Sequence, residues 1–203
     1  MKNIIKILFL CGIIVFIGFS CEDKDTQDEV YLELYIDSEE TAIVKTIENI
    51  EFKFCLLNEL GMPTTSFNEG ENFSFYFSIK NISSDSLYND PSFLCKDNGF
   101  CKVYNEQSAI IGMPFIFKGT DLIGTAAYPL YGVSSKYELI IPWQDNRDEW
   151  QTLHCYFEST NMDLLSKGTY YTSFVHQFSF DKANDTSTIR TKVINFKINF
   201  EII

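Results

Sequence analysis

The sequence has few of the residues that catalytic and metal sites usually need. Only two of its 203 residues are histidines, His154 and His176, so few side chains could act as a general base near neutral pH. It has no Cys-x-x-Cys or His-x-x-His spacing, no Gly-x-Ser-x-Gly nucleophile elbow and no glycine-rich phosphate loop. These absences argue against zinc sites, serine hydrolases and nucleotide enzymes. We therefore expect a noncatalytic protein with no metal and no cofactor.

Basic residues are also scarce. The chain has 16 Lys and Arg against 28 Asp and Glu, a formal net charge of −12. Proteins that bind nucleic acid use Lys and Arg to displace phosphate counterions, so we expect no nucleic-acid partner. The residues that are abundant are hydrophobic (45%) and aromatic (16%). This composition predicts a folded chain that is long enough to bury a sizeable core.

The N-terminal segment has the three parts of a secretory signal peptide. Lys2 and Lys6 are followed by a run without charge over residues 7–19, and Ser20 precedes Cys21. This run is shorter than the roughly 20 residues that span a bilayer. The segment Gly18 to Cys21 resembles a bacterial lipobox of the looser kind found in Bacteroidota. The resemblance implies that residues 1–20 are removed and that Cys21 is lipidated and anchors the protein to a membrane.

Residues 21–30 form an acidic tether after this cysteine. Five of the eight residues 22–29 are Asp or Glu, which is typical of a solvated segment that repels itself and extends. An acidic run in this position also resembles the surface-export signal of Bacteroidota lipoproteins. That resemblance implies an outer-membrane protein that faces the cell exterior rather than the periplasm.

From residue 31 onward the hydrophobic period is two, which is typical of strands with one buried face. The predicted strands are 31–36, 50–56, 73–79, 137–141, 153–157, 170–180 and 194–202. Only 43–49 and 162–166 have a helical pattern, of one or two turns each. Seven to nine strands without helical crossovers predict an all-β fold, a single antiparallel β-sandwich over residues 31–203.

Two segments resemble immunoglobulin-like modules of the intracellular proteinase inhibitor type. In the first, Gly70-Glu71 precedes the strand at 73–79 and Asn81. In the second, residues 165–170 have the pattern Leu-x-x-Gly-x-Tyr, near the place where immunoglobulin-like folds have a tyrosine corner. The resemblance implies an immunoglobulin-like sandwich. It also suggests protease inhibition as an alternative function, for which the only long loop is 113–135.

Four cysteines remain once Cys11 is removed and Cys21 is lipidated: Cys55, Cys95, Cys101 and Cys155. An even count in an exported chain favours two disulfides, with three possible pairings. If 97–99 is a three-residue hairpin loop, Cys95 faces Cys101 and the two can bridge, whereas a two-residue Asn-Gly turn places Cys95 opposite Lys102. A Cys55–Cys155 bridge then follows by elimination. The alternative is that these cysteines are free, buried thiols.

The best candidate for a binding site is the loop at 142–150. It places Trp143 and Trp150 on either side of Asp145 and Asp148, and aromatic faces beside carboxylates suit a glycan or a cationic peptide. The alternative is that both tryptophans cap the core. The stretch 113–135 is a second candidate contact surface.

The triplet Asp85-Ser86-Leu87 resembles the O-glycosylation motif of Bacteroidota, which makes Ser86 a candidate modification site. Taken together, these features predict a lipid-anchored surface lipoprotein that binds a glycan or a protein or belongs to an envelope complex. The alternatives are a protease inhibitor, an enzyme of unassigned class, and a subunit of a pilus or other assembly that adds the strand at 189–203 to another sheet.

Overall fold

The protein has an all-β fold in the computed structural model, which describes residues 31–203 except 38, 90–92, 95, 98, 121–129 and 153–154. The predicted signal peptide, lipidation site and acidic tether lie outside the described residues. The strands of the described residues form four sheets, I to IV. The strands, numbered along the chain, are given below sheet by sheet.

Sheets I and II contain the longest strands. Sheet I has the order β1-β17-β14-β7-β8, with β4 also beside β17. Its strands are β1 (Leu32–Tyr35), β4 (Ser66–Phe67), β7 (Val103–Asn105), β8 (Ile110–Gly112), β14 (Gly168–His176) and β17 (Ile194–Ile202). Sheet II has the order β11-β5-β3-β2. Its strands are β2 (Ala42–Ile47), β3 (Ile50–Leu57), β5 (Ser74–Asn81) and β11 (Lys136–Pro142).

Sheets III and IV are smaller. Sheet III has the order β10-β6-β15-β16 and contains β6 (Leu87–Asn89), β10 (Leu130–Tyr131), β15 (Ser179–Lys182) and β16 (Thr188–Arg190). Sheet IV has the order β12-β13-β9 and contains β9 (Phe115–Thr120), β12 (Glu149–Thr152) and β13 (Cys155–Ser159).

Sheets I and II pack face to face through phenylalanine side chains. Phe54 of sheet II lies 5.2 Å from Phe174 of sheet I, and Phe77 lies 5.8 Å from Phe196, measured between ring centroids. Phe174 and Phe196 stack on each other at 4.7 Å. These residues occupy alternate positions of their strands, as in β17, whose buried positions recur every second residue. The predicted β-sandwich is therefore confirmed, and one continuous buried cluster runs through it from Leu34 to Ile202.

The sandwich has two distinct ends, fixed by strand register. At one end β17 begins at Ile194, opposite the last residue of β14 and beside the first residue of β1. We call this the entry end, because the chain enters the sandwich there with Leu32, whose N–H donates to the carbonyl of Val193 at 2.9 Å. The opposite, far end is where β17 ends at Ile202 and Phe73 packs 5.3 Å from Phe200.

Asn81 ties two loops together at the entry end. Its side chain is buried, and its Nδ2 donates to the carbonyls of Asp85 (2.7 Å), Tyr131 (3.1 Å) and Gly132 (3.3 Å). Its Oδ1 accepts from the backbone N–H (3.0 Å) and the hydroxyl (2.7 Å) of Ser83. A buried amide with every group bonded holds its neighbours in one arrangement, which gives a physical role to the asparagine of the first resemblance motif.

The tyrosine of the second motif forms the corner that the pattern predicts. The Tyr170 hydroxyl donates to the backbone carbonyl of Ser166 at 2.8 Å, four residues upstream at the start of β14. This is the contact that defines a tyrosine corner in immunoglobulin-like sandwiches. The bond closes the loop that precedes β14.

Four details of the predicted fold are wrong. The sandwich has more strands than seven to nine, because short strands fill the connections. Pairing is not purely antiparallel, since β1 and β4 both pair with β17 in parallel. Segment 43–49 is strand β2 and a turn rather than a helix, as its β-branched residues favour. Segment 162–166 is irregular.

The terminal strand is also not available for addition to another sheet over most of its length. β14 pairs with all of β17 on one side, and β1 and β4 pair with its two ends on the other side. The N–H of Ile203 additionally donates to the carbonyl of Phe67 at 2.8 Å.

Candidate functional site

The first tryptophan of the predicted binding loop is part of the core. Trp143 is 1% exposed and stacks on Phe73 with ring centroids 5.6 Å apart. Its indole N–H donates to the carbonyl of Asp163 at 2.8 Å, so its polar atom is satisfied inside the protein. Trp143 therefore caps the far end of the sandwich and does not present a face to a ligand.

Asp145 is buried beneath Arg147 in the same loop. Arg147 Nε lies 2.9 Å and 3.0 Å from the two carboxylate oxygens, and its backbone N–H donates to Oδ1 at 3.0 Å. Burial raises the pKa of the Asp145 carboxyl, but the bonds from Arg147 lower it further, so that the pKa lies below its usual value. This carboxylate is ionised and fully engaged at neutral pH, and its role is to hold the loop.

Trp150 belongs to a different layer from Trp143. It is half-buried in sheet IV, where it stacks on Phe157 at 4.3 Å, and the Arg147 guanidinium lies 5.4 Å from its ring centroid. Asp148 is exposed, and its backbone carbonyl accepts from the N–H of Ser159 at 2.9 Å. The four predicted ligand-binding residues therefore do not form one exposed site. Trp143 and Asp145 are buried, and of the four only Asp148 and part of Trp150 face solvent.

Hydrogen bonds join this loop to its neighbours at the far end. Gln144 and Asn72 exchange two bonds, from Gln144 N to Asn72 Oδ1 at 3.0 Å and from Asn72 Nδ2 to the Gln144 carbonyl at 2.9 Å. The Asn72 N–H donates to Glu59 Oε1 at 3.2 Å, and Gln144 Nε2 donates to the carbonyl of Met162 at 3.3 Å. Four loops of the far end are therefore fixed relative to one another.

A cavity of about 300 Å³ lies between the loop before β7 and the start of sheet IV. Its wall is apolar and consists of Leu94, Phe100, Met113, Phe115 and Phe117, and its remaining lining residues are Lys96, Asp97, Gly99 and Lys102. We call it the Lys102 pocket. Binding sites for small molecules are mostly apolar cavities of this size or larger, with a few polar groups that orient the ligand.

The polar side of the Lys102 pocket has three charged residues. Lys102 Nζ lies 2.5 Å from Asp97 Oδ1, and the Lys102 side chain is 19% exposed while that of Asp97 is 81% exposed. Lys96 is exposed. The local charge of the three residues is positive, in contrast to the −12 of the whole chain.

Gly99 allows the loop of this pocket to lie against β14. Its φ is +87°, and a Cβ built on it would lie 2.7 Å from the carbonyl oxygen of Ser173. Only glycine combines this left-handed conformation with such a close approach of two backbones. The pocket is therefore formed by a loop that is positioned by backbone packing.

A second, more open depression of about 400 Å³ shares Asp97, Gly99 and Lys102 with the pocket. Tyr104 and Tyr171 stack there at 4.9 Å, and Lys197 Nζ lies 4.5 Å from the Tyr171 ring centroid. Tyr171 is thus covered on both faces by its neighbours in sheet I. The depression has a packed tyrosine wall rather than a free aromatic platform.

Sequence reasoning missed the Lys102 pocket because its parts are distant in the sequence. The signal that could mark it is Gly99 between two lysines at 96 and 102, a segment for which the sequence instead predicts a disulfide hairpin. The second predicted surface, 113–135, contributes Phe115 and Phe117 to the wall of the pocket. Residues 121–129 of this surface lie outside the described residues.

Both predicted disulfide pairings are wrong for this structure. Cys55 and Cys101 are free, buried thiols, and burial raises the pKa of Cys55 to about 11 and that of Cys101 well above its usual value. Residues 99–102 form a turn, with Cys101 at φ +64°, that directs Cys101 into the core, so they cannot form the predicted hairpin. Cys55 lies in sheet II and Cys155 in sheet IV, and Cys155 is not a free thiol. Cys95 lies outside the described residues.

The candidate modification site lies in the bend between β5 and β6. Ser86 is half-buried, and its carbonyl accepts from the N–H of Ala183 at 2.9 Å. The neighbouring Asp85 carboxylate pairs with Lys182 at 3.0 Å. Cys21, the predicted lipidation site, lies outside the described residues.

Among the described residues no three His, Cys, Asp or Glu side chains are grouped so that they could hold a metal ion. In the same part of the chain no helix is long and apolar enough to cross a membrane.

Comparisons with known proteins give no family. No protein-family model matches the chain, and no curated protein matches its sequence. The structure of the CooA pilin subunit from enterotoxigenic Escherichia coli is 11% identical over 73% of this chain and 98% of the pilin, with a TM-score of 0.20. A family 123 glycoside hydrolase from Clostridium perfringens is 10% identical over 75% of this chain and 27% of the hydrolase, with a TM-score of 0.21.

Proposed function

We propose that the protein is a lipid-anchored lipoprotein of the outer membrane that faces the cell exterior and acts as a noncatalytic binding module. The observation that carries the proposal is the start of the packed sandwich at β1, only eleven residues after Cys21. An anchor at Cys21 would hold the sandwich close to the membrane, because the ten residues of the tether reach at most about 35 Å when extended.

The ligand of such a module is a glycan or a protein, or the module belongs to an envelope complex. Several features support a binding role over a purely structural one. The far-end loops are held together by side-chain hydrogen bonds, and a preorganised surface loses little entropy on binding. Asp148 and Trp150 contribute to the exposed part of this region.

Protease treatment of intact cells combined with palmitate labelling tests the anchor and its direction. We expect wild type to incorporate label and to be cleaved on intact cells, and Cys21→Ala to incorporate none. Labelled but protected protein would place it in the periplasm and contradict surface exposure. Wild type without label would contradict the lipid anchor.

A second candidate function, protease inhibition, is favoured by one exposed turn. Leu60 and Met62 are 79% and 53% exposed, and the Asn58 side-chain oxygen accepts from both of their backbone N–H groups at 3.0 and 2.9 Å. A braced, convex turn that presents a large apolar residue suits the active site of a protease that cleaves after such residues.

A panel of serine proteases tests this candidate. Inhibition by wild type should weaken at least about tenfold in Leu60→Ala. The matched control is Val133→Ala, because Val133 is 55% exposed in a turn at the other end. Absence of inhibition across the panel would remove this function and leave the proposed anchor untouched.

A further inference from the structure

The Lys102 pocket combines an apolar interior with a cationic side. Phe115 is 4% exposed and Phe117 is 38% exposed, so the wall runs from the core to the surface. Phe100 packs edge to face on Phe174 at 5.0 Å and Phe117 on Phe157 at 5.9 Å. These contacts hold the rings in place, so the shape of the cavity is set by the folded protein before any ligand arrives.

The charges of the pocket favour one kind of ligand. A purely apolar molecule would leave Lys96 and Lys102 without a new partner, whereas an anionic group can accept hydrogen bonds from both. Asp97 already bonds Lys102, and although the Lys102 side chain is only 19% exposed, the Asp97 carboxylate is 81% exposed and is hydrated by water when it leaves Lys102. An incoming carboxylate can therefore share or replace Asp97 at small cost.

We propose that the Lys102 pocket binds a small carboxylate with an apolar, ring-sized body. The body lies among the side chains of Phe100, Met113 and Phe115, and the carboxylate meets Lys96 and Lys102. The size of the cavity, about 300 Å³, is at the lower end of the range for small-molecule sites and fits one ring with a short chain. This inference goes beyond the proposed function, because the pocket is lined by other residues than Asp148 and Trp150 and takes another class of ligand.

Saturation-transfer NMR on the full lipidated protein in phosphatidylcholine nanodiscs tests the inference. The probe is 4-phenylbutyrate, and its uncharged analogue 4-phenylbutyramide has the same apolar body. Empty nanodiscs correct for partition into lipid. We expect the carboxylate to bind about tenfold more tightly than the amide, as one charge-assisted hydrogen bond would give.

Matched variants connect the preference to the pocket. Lys96→Gln combined with Lys102→Gln should abolish the preference for the carboxylate. Lys45→Gln combined with Lys192→Gln makes the same change of charge at two exposed sites elsewhere and should preserve it. Because Lys102 is partly buried, the single variant Lys96→Gln, at an exposed site, provides a second test and should reduce the preference in a protein that keeps its thermal stability.

The results separate this inference from the proposed function. Equal binding of acid and amide, or no binding of either, would overturn the pocket assignment even if palmitate labelling and surface cleavage succeed. Selective binding that is lost in the pocket variants supports the pocket even if the protein proves to face the periplasm. A preference that persists in the pocket variants would overturn the assignment.

Discussion

At the scale of single residues, Thr172 is a polar group in an apolar environment. It lies on the inner face of β14 between Tyr170 and Phe174, and its buried hydroxyl has no hydrogen-bond partner among the described residues. An unsatisfied buried hydroxyl costs about 1–3 kcal/mol. Thr172→Val keeps the shape of the side chain and should raise the free energy of unfolding by about 1 kcal/mol.

Chemical denaturation measures this change. Thr169→Val is the control, because Thr169 is exposed on the same strand and its replacement should leave the unfolding free energy nearly unchanged. A loss of stability in Thr172→Val would show that the hydroxyl has a partner, such as a buried water molecule.

The Asp145–Arg147 pair predicts a stability that depends on pH. Burial of the Asp145 carboxyl raises its pKa and the bonds from Arg147 lower it by more, so the pKa in the folded state is below that in the unfolded state. The ionised carboxyl therefore stabilises the fold above the unfolded pKa of about 3.9, and this contribution is lost as the pH falls through the lower, folded pKa.

Denaturation of wild type and Asp145→Asn between pH 7 and pH 2 tests this. Wild type should be the more stable at neutral pH, and the difference should narrow as the pH falls below about 4. Asp148→Asn in the same loop should follow the wild-type profile. A difference between wild type and Asp145→Asn that does not change with pH would contradict the role of the ion pair.

At the scale of elements, the β2–β3 hairpin has a turn that its sequence does not favour. Glu48 and Asn49 both have positive φ, 50° and 60°, and join Ile47 to its partner Ile50. A two-residue turn of this kind prefers Asn followed by Gly, because side chains crowd the left-handed conformation. Glu48→Asn combined with Asn49→Gly should therefore stabilise the protein by about 0.5–1 kcal/mol.

Thermal unfolding of this variant measures the gain. Replacement of Glu106 and Gln107 in the β7–β8 turn by the same pair of residues is a suitable control, since these two residues are exposed and do not have positive φ. A lower melting temperature in the hairpin variant would mean that Glu48 makes a contribution beyond the turn.

The strands with strict alternation were predictable from the sequence, and the connections were not. Period two identified β5 and β17 because one face of each is buried. It also joined β14 and β15 into a single strand, 170–180, because Phe178 and Phe180 continue the alternation although the chain leaves sheet I for sheet III after His176. The hairpin at Glu48 was missed because neither residue is glycine.

The candidate site was less predictable than the fold. The sequence predicts Trp143 and Asp145 as binding residues because these residue types are common in binding sites. In the structure, Trp143 packs against Phe73 and Asp145 is bonded to Arg147, so neither side chain is available to a ligand. The Lys102 pocket depends on the meeting of the loop at 94–102 with β9, and such a long-range contact has no local sequence signal.

At the scale of the whole molecule, the cysteines define one testable covalent bond. Cys55 and Cys101 are free and Cys155 is not. If Cys11 is removed with the signal peptide and Cys21 is lipidated, only Cys95 remains as a partner for Cys155. We therefore predict a Cys95–Cys155 disulfide, which would join the loop before β7 to sheet IV on the two sides of the Lys102 pocket.

Peptide mapping of the alkylated, unreduced and denatured protein tests the pairing. We expect a linked Cys95–Cys155 peptide pair, with alkylated Cys55 and Cys101. Cys55→Ser and Cys101→Ser should leave the linked pair intact. Alkylated Cys155 would contradict the prediction.

The position of the chain entry predicts how the molecule stands on the membrane. β1 starts at the entry end and the tether reaches at most about 35 Å, while the nine residues of β17 span about 30 Å towards the far end. An anchor at Cys21 would therefore keep the entry end within about 35 Å of the lipid, and we predict that the far-end loops point outward. Leu60→Cys places a thiol in the far-end turn, and Ser84→Cys places an exposed one near Asn81 at the entry end.

A large polyethylene glycol maleimide, applied to intact cells, should react faster with Leu60→Cys than with Ser84→Cys, because the membrane hinders access to the entry end. A small, impermeant maleimide should react with both at similar rates, which controls for local exposure. Wild type should remain unlabelled, because burial raises the pKa of the thiols of Cys55 and Cys101 and thiolates are the reacting species. Cys95 should not react either, because we predict that it forms the disulfide with Cys155. Faster reaction of the large reagent at Ser84→Cys would contradict this orientation. It would mean that the far-end loops face the membrane and the entry end points outward.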